Sequence, residues 1–381
     1  MSYLLSIIIP TKNRFQYCVH AIESCFALGD DVQIVIQDNS DNSNEKAITG
    51  LNKQGNIKYN YHPGILSFVD NFSEGIQISD GQYVCMIGDD DAVLPNIVNA
   101  VKFMIKNDCD ALLPSLTNVY IWPSDNSFIK NGKNGYLCLE LCKKNKQKIV
   151  NPSKELRKLM KKAGQGYQEL GIPRIYHGIV KRNCLEMLKE KTGHYFGGLT
   201  PDIYNAVGLS HFCKKVIRVS FPITVSGICP TSGSANSATG KHTGRLEDAP
   251  HFVGHKNYVW NNKVPEIYSV ESIWAETVLK ALEETKDDSN YNLFNVCKLD
   301  TLCLSKYPQF KSEIISHAKK ENISICVLKI KKTFVPLNNF LNRIFKKINR
   351  IFEKKVYKEY NIKTIKEAIE FTMERMNDEL N

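Results

Sequence analysis

The chain has 381 residues, 43% of them hydrophobic and 24% charged, with a formal net charge of +10. That is enough apolar material for one large domain or two ordinary ones, and it reads as a soluble intracellular protein. No run approaches the roughly 20 apolar residues of a membrane-spanning helix, and residues 1–10 read as a strand, not a leader. The twelve cysteines include no Cys-x-x-Cys pair, which favours reduced thiols over a disulfide frame or a zinc site. From Lys329 to Lys358 there are ten Lys/Arg against one acid, Glu353, a net of +9, so nearly all the excess charge sits in the tail.

Leu4–Ile9 is a continuous apolar run closed by Pro10, the pattern of a strand buried on both faces. A polar turn, Thr11-Lys12-Asn13-Arg14, leads to a helix with Cys18, Ala21, Ile22, Cys25 and Phe26 on one face. The next strand, Val32–Gln37, runs into the acidic loop Asp38–Ser43. A helix over 43–53, a strand over 57–61 and a helix over 67–79 then lead to Tyr83–Ile87, Gly88 and Asp89-Asp90-Asp91. Pro95 starts a helix to Lys106, and 110–114 forms a further strand. Alternating strands and helices describe a doubly wound α/β sheet. Its ligands bind beyond the carboxyl ends of the strands, and Thr11–Arg14, Asp38–Ser40 and Asp89–Asp91 all lie at such ends.

Three adjacent carboxylates repel one another, so the triplet calls for a compensating cation or full solvation. Oxygen ligands suit Mg²⁺ or Mn²⁺, which commonly hold one or two carboxylates and take other ligands from substrate phosphates and water. A metal-bridged diphosphate and a solvated acidic turn are the two readings of the residues alone. Asp38 can accept the N–H of a uracil edge, with Pro10 and Thr11 walling the base, or cap its own turn. Arg14 can pair with a phosphate or stay solvated at a helix start.

Together, Ser-Ile-Ile-Ile-Pro-Thr-Lys-Asn-Arg, Ile-Gln-Asp-Asn-Ser and Tyr-Val-Cys-Met-Ile-Gly-Asp-Asp-Asp resemble the nucleotide-binding half of a family-2 glycosyltransferase. The resemblance covers residues 4–115 and loosely extends to about 255. It implies a GT-A-like mixed sheet, a nucleotide-sugar donor bound at Asp38, and a divalent ion held by Asp89 and Asp91, with Asp90 facing the turn. It also implies a catalytic base at the start of a later helix, where Thr200-Pro201-Asp202 stands. Asp202 is that candidate, although Thr, Pro and Asp also make a plain helix start, and Pro201 departs from the family's Glu-Asp pair. A later ligand for the ion or diphosphate is expected on a flexible loop. His242 is chosen, flanked by Lys241 and Arg245, over His251 and His255. His177, Trp122, Trp260 and Trp274 read as core residues.

The expected organisation is a nucleotide-sugar-binding half (1–115), an acceptor-binding half (116–255), a helical region (256–328) and a basic amphipathic tail (329–381). Residues 130–148 read as a loop insertion, 172–230 as short strands with one helix, 231–240 as a mobile loop, and everything after Tyr268 as helical. In the tail Leu337, Phe340, Leu341, Ile344, Phe345, Ile348, Ile351 and Phe352 recur at helical spacing beside basic residues. Such a helix either lies on an anionic membrane surface or packs on the main domain. The reading is an inverting transferase that moves a sugar, on a UDP carrier, to a surface glycan or lipid-linked acceptor at the inner face of the membrane. Nucleic acid is not an expected partner, and an oligomer is left open. A silent nucleotide-sugar-binding scaffold and a metal-dependent nucleotidyltransferase are the alternatives.

Overall fold

The computed structural model describes residues 3–115, 118–125, 132–144, 146–238, 242–246, 249–255 and 258–379. The first part winds as expected: β1 (Leu5–Thr11), α1 (Phe15–Glu23), β2 (Val32–Asp38), α2 (Glu45–Leu51), β3 (Ile57–Tyr61), α3 (Phe68–Gln77) and β4 (Tyr83–Met86). Every residue of β1, β2 and β4 is buried, as apolar runs covered on both faces should be. The helix α1 turns Cys18, Ala21 and Ile22 inward, and Ser67 caps α3 by accepting the Asp70 N–H.

The chain continues through β5 (Ala92–Val93), α4 (Ile97–Lys106), β6 (Ala111–Leu113), β7 (Asn118–Ile121), β8 (Tyr136–Cys142) and β9 (Gln147–Val150). Next come α5 (Pro152–Lys161), β10 (Ile179–Lys181), α6 (Arg182–Thr192), α7 (Pro201–Leu209), β11 (Val216–Val219) and β12 (Thr224–Ile228). A short α8 (Gly233–Ala238) and the pair β13 (Thr243–Gly244) and β14 (Tyr268–Ser269) precede α9 (Val270–Thr285), α10 (Asp288–Leu293), α11 (Val296–Lys306) and α12 (Lys311–Lys320). The chain closes with α13 (Ile325–Glu353), β15 (Lys354–Tyr360) and α14 (Ile365–Asp378).

The main sheet has the order β3-β2-β1-β4-β10-β6-β11-β9. The first four strands are mutually parallel, and β10 runs antiparallel to both β4 and β6. This is the mixed, doubly wound α/β sheet expected. A second sheet has the order β15-β8-β7-β12-β5. Because β4 belongs to the first sheet and β5 to the second, residues 87–91 are the crossover between them, and the acidic triplet sits in that crossover.

Four expectations need correction. Residues 136–142 and 147–150 are strands: Leu137, Leu139 and Leu141 bury in the core of the second sheet and β15 pairs along all seven residues of β8, while β9 pairs with β11 in the main sheet. Two helices, α6 and α7, occupy 172–230 instead of one. Within 231–240, residues 233–238 are helical, and 239–240 lie outside the described residues. The tail is not helical throughout, since Lys354–Tyr360 is the strand β15 and α14 packs Ile365, Ala368 and Met376 into the core of the second sheet.

The helix α13 buries Leu328 and Val335 near its start, then nothing from Pro336 to Ile348. Phe345 and Phe352 are 63% and 74% exposed. The alternative in which this apolar stripe packs on the main domain is therefore not what the fold does. Among the described residues no helix is long and apolar enough to cross a membrane.

Candidate functional site

The loops after β1 and β2 are stitched to each other. Lys12 Nζ donates to Asn39 Oδ1 (3.0 Å), the Asn13 N–H donates to Ser40 Oγ (2.8 Å), and the Asp41 N–H donates to Asn13 Oδ1 (2.9 Å). Asn13 takes a positive φ of 55° to reach across. Asp38 is fully buried and accepts from the Ser40 N–H (2.8 Å), Asn44 Nδ2 (2.8 Å) and the Tyr59 hydroxyl (2.9 Å). The turn-capping role of Asp38 is thus realised, and a bound base would meet this carboxylate already holding three donors. Pro10 is buried within β1, in register with Gln37.

The three acids of the triplet have different fates. Asp89, 0% exposed, accepts from Thr11 Oγ1 (2.7 Å) and Arg14 Nε (3.0 Å), and pairs with Arg14 Nη2 at 2.5 Å. Burial pushes its carboxyl up to about 7; Arg14 opposes that and Asp90 adds to it. Arg14 keeps 25% of its side chain exposed to the crevice. Burial works against its charge, but Asp89 and Asp90 hold its pKa above the ordinary arginine value.

Asp91 is committed to the fold. Its Oδ2 accepts from the Gly88 N–H (2.6 Å) and the Tyr176 hydroxyl (3.2 Å) and pairs with His177 Nε2 (3.2 Å), while Oδ1 accepts the Gly227 N–H (2.7 Å). Burial opposes its ionisation, yet His177 and the two backbone N–H groups hold the carboxyl below its ordinary range. His177 bonds Thr224 Oγ1 through Nδ1 (2.9 Å) and is buried, the behaviour of a core histidine. Gly227 lies so close to the crossover that a Cβ there would sit 1.6 Å from the Asp90 carbonyl oxygen, so β12 presses directly on the triplet.

Asp90, the member given no task by the sequence reading, is the one left available. Its Oδ2 accepts the Cys229 N–H (2.9 Å), and its carbonyl accepts Trp122 Nε1 (2.9 Å). Its Oδ1 receives no N–H donor among the described residues. Burial and then Asp91 push its carboxyl up. The sequence carries no signal for this division, which depends on β12 and on the 174–178 turn.

Asp202 is at the second position of α7, half-buried, and accepts a short hydrogen bond from the Tyr167 hydroxyl. Burial raises its pKa, and the Tyr167 bond pulls it back. Tyr176 connects it to the triplet: burial, then Asp91, Asp90 and Asp202, all raise the pKa of the Tyr176 hydroxyl. Tyr176 thus bonds the triplet through Asp91 and feels the charge of Asp202.

The remaining expected residues are more scattered. The ring of His242 lies 5.8 Å from that of His251 and 6.1 Å from that of Tyr268, and burial lowers its pKa. Arg245 is exposed and within electrostatic reach of Glu313 near the start of α12. Lys241 lies outside the described residues. Among the described residues no group of three or more His, Cys, Asp or Glu is arranged to hold a metal, so His242 does not join Asp89 and Asp91 in one. The oxygens of Asp89 and Asp91 are engaged as they stand. Within the triplet and among the described residues, Asp90 is the carboxylate with the fewest donors, the N–H and the thiol of Cys229, and an ion with phosphate and water as its other ligands suits it best.

Residues 6–148 match the family model for glycosyl transferase family 2. The match covers the region that contains the three strand-end loops on which the resemblance rests. A glycosyltransferase of Mycoplasma pneumoniae described as uncharacterized, the MG025 homolog, is 31% identical over 143 residues, 35% of this chain. The chain spans about half the length of that relative (47%). Among solved structures, S. aureus TarS 1–349 with UDP-GlcNAc is 11% identical over 84% of this chain and 93% of that one, at a TM-score of 0.45. S. aureus TarS is 14% identical over 60% of this chain and 37% of its own, at a TM-score of 0.42. The family-2 region includes the loops of β1 and β2 and the triplet, and ends before Asp202.

Proposed function

We propose that the chain is an inverting glycosyltransferase that moves a sugar from a nucleotide donor, uridine-linked, to a surface glycan or lipid-linked acceptor. The observation that carries the reading is a chain of contacts: the turn after β1 is stitched to the Asp38 loop and paired through Arg14 with the triplet, and Tyr176, bonded to Asp91, lies within electrostatic reach of Asp202 at the start of α7. The first three lie at the carboxyl ends of parallel strands, where open α/β sheets take their ligands.

In this reading Asp202 accepts the proton of the acceptor hydroxyl, the oxygen attacks the anomeric carbon, and the bond to the diphosphate breaks with its electron pair leaving on oxygen. Burial keeps Asp202 basic enough for the task, and Tyr167 fixes its orientation. Arg14, held by Asp89 but a quarter exposed, offsets the charge that develops on the departing diphosphate. Asp90 is the residue that would hold Mn²⁺ or Mg²⁺, which when bound supplies further charge neutralisation to the leaving group. His242, Lys241 and Arg245 are kept as the residues that would meet the ion or the diphosphate.

The tail is proposed to rest on an anionic membrane surface through α13, whose apolar stripe stays uncovered beside Arg343, Lys346 and Lys347. In the same reading 1–115 holds the donor and 116–255 shapes the acceptor site. Incubation with uridine diphosphate sugars in Mn²⁺, Mg²⁺ or EDTA, scoring nucleotide release, tests the activity. Release by the wild type and none by Asp202→Asn with acceptor present is expected. A chain that binds donor but never turns it over under any condition is a scaffold, and the reading fails.

A further inference from the structure

Arg174 is a buried cation that the mechanism does not use. It is 3% exposed, its Nε and Nη1 are buried with no hydrogen-bond partner, and no carboxylate lies within 4.0 Å of it among the described residues. A guanidinium carries five N–H donors in a fixed fork, and leaving such a group dry and unpaired is costly to the fold. The backbone that carries it is fixed. The Arg174 carbonyl packs on Gly178 so tightly that a Cβ there would lie 2.3 Å from it. The neighbouring Ile175 carbonyl accepts the Met86 N–H (2.9 Å), and the His177 N–H donates to the Met86 carbonyl (2.9 Å). The turn is thus clamped to the end of β4.

The charges around Arg174 show what it lacks. Burial lowers its pKa to about 10; Tyr167 favours its charge, Arg218 opposes it, and Asp202 favours it least. Arg218 donates to the backbone carbonyl of Glu169 (3.1 Å) and brings no anion. The nine-residue α7 also begins here, and its N-cap Thr200 makes no capping hydrogen bond, so the positive end of a helix adds to the field. The charged side chains that Arg174 feels are one like cation, Arg218, and one carboxylate, Asp202.

We propose that Arg174, with Arg218 and the first turn of α7, forms a subsite for an anionic group on the acceptor, next to the hydroxyl that Asp202 deprotonates. The donor's diphosphate is met instead by Arg14, paired with Asp89 at the ends of β1 and β4, so the two anion sites use different residues. The word acceptor rests on the transferase reading; the binding of an anion at Arg174 does not. A phosphate ester and a sugar carboxylate share the required chemistry.

The test uses the full chain with uridine diphosphate at saturation to fill the donor site. Inorganic phosphate, acetate and chloride are titrated at constant ionic strength while the melting temperature is followed. A site of this kind raises the melting temperature saturably by mass action. Phosphate alone acting identifies the phosphate ester, and acetate acting as well admits the carboxylate. The Arg174→Gln chain should lose about tenfold or more in anion affinity, and without anion it should melt at or above the wild type, because an unpaired buried charge is gone. Arg174→Lys should keep a weakened response. An unchanged anion response in Arg174→Gln, no response in the wild type, or an Arg174→Gln chain that melts far below the wild type or does not fold, overturns the proposal. An intact anion response in a chain that transfers to no acceptor keeps the anion site and removes the transferase reading.

Discussion

Replacing Asp89 by Asn should stabilise the protein at neutral and alkaline pH while damaging its function. Asp89 is fully buried, with a carboxyl pushed up to about 7 from an ordinary 3.8 by burial, Arg14 opposing. A raised folded-state pKa means that stability is fully present below the unfolded value and is lost as pH rises through the folded one. At about 1.4 kcal/mol per pH unit, the loss attached to this group between pH 4.5 and pH 7, and flat above, is about 3 kcal/mol. Asn keeps the shape and the bond to Thr11 but cannot ionise, so its chain lacks this loss. Arg14, a quarter exposed, can hydrate when its partner is neutral, which limits the offsetting cost. Urea unfolding of both chains in EDTA from pH 4.5 to 8 measures the difference, in which other titrating groups cancel. The gap should widen by about 3 kcal/mol in favour of Asp89→Asn as pH rises. A gap independent of pH, or an Asn chain that becomes the weaker one at pH 8, would refute the reasoning.

Other outcomes follow from the same geometry. Asp91→Ala strands His177 and two backbone N–H groups, so it should cost about 3–5 kcal/mol of stability, read by urea unfolding at pH 7.5; a chain as stable as the wild type contradicts the structural role. Tyr167→Phe removes the bond that pulls the raised pKa of Asp202 back down, so the acid limb of the rate profile should move to higher pH; an unmoved limb argues against Asp202 as the base. Arg343 and Lys347 changed together to Gln should weaken binding to phosphatidylserine vesicles on the order of 30-fold, at about 1 kcal/mol per charge, as sedimentation with lipid would show, whereas equal binding to neutral vesicles removes the membrane reading.

Much of the fold was legible because its information is local. The runs 4–9 and 32–37 and the face of Cys18, Ala21 and Ile22 each state their element within a dozen residues. The strand Tyr136–Cys142 was not legible, since it takes shape against Lys354–Tyr360, more than two hundred residues away. Asp89 and Arg14 were picked out correctly as neighbours of one crevice, but their pairing with each other was not foreseen. The division within the triplet was hidden for a physical reason. Three adjacent carboxylates at a sheet crossover point wherever their partners are, and those partners, Gly227 and Cys229 around β12 and His177 at a positive φ of 55°, come from distant parts of the chain. Arg174 gave no signal at all, because an arginine in a loop is ordinarily solvated.

The account turns on Asp90 and the crevice it faces. Nucleotide release from uridine diphosphate sugars, with acceptor and Mn²⁺ present, is the direct measurement, made on the wild type and on Asp90→Ala after confirming equal melting temperatures. The account predicts turnover by the wild type and its loss in Asp90→Ala, and undiminished turnover in that variant would contradict it.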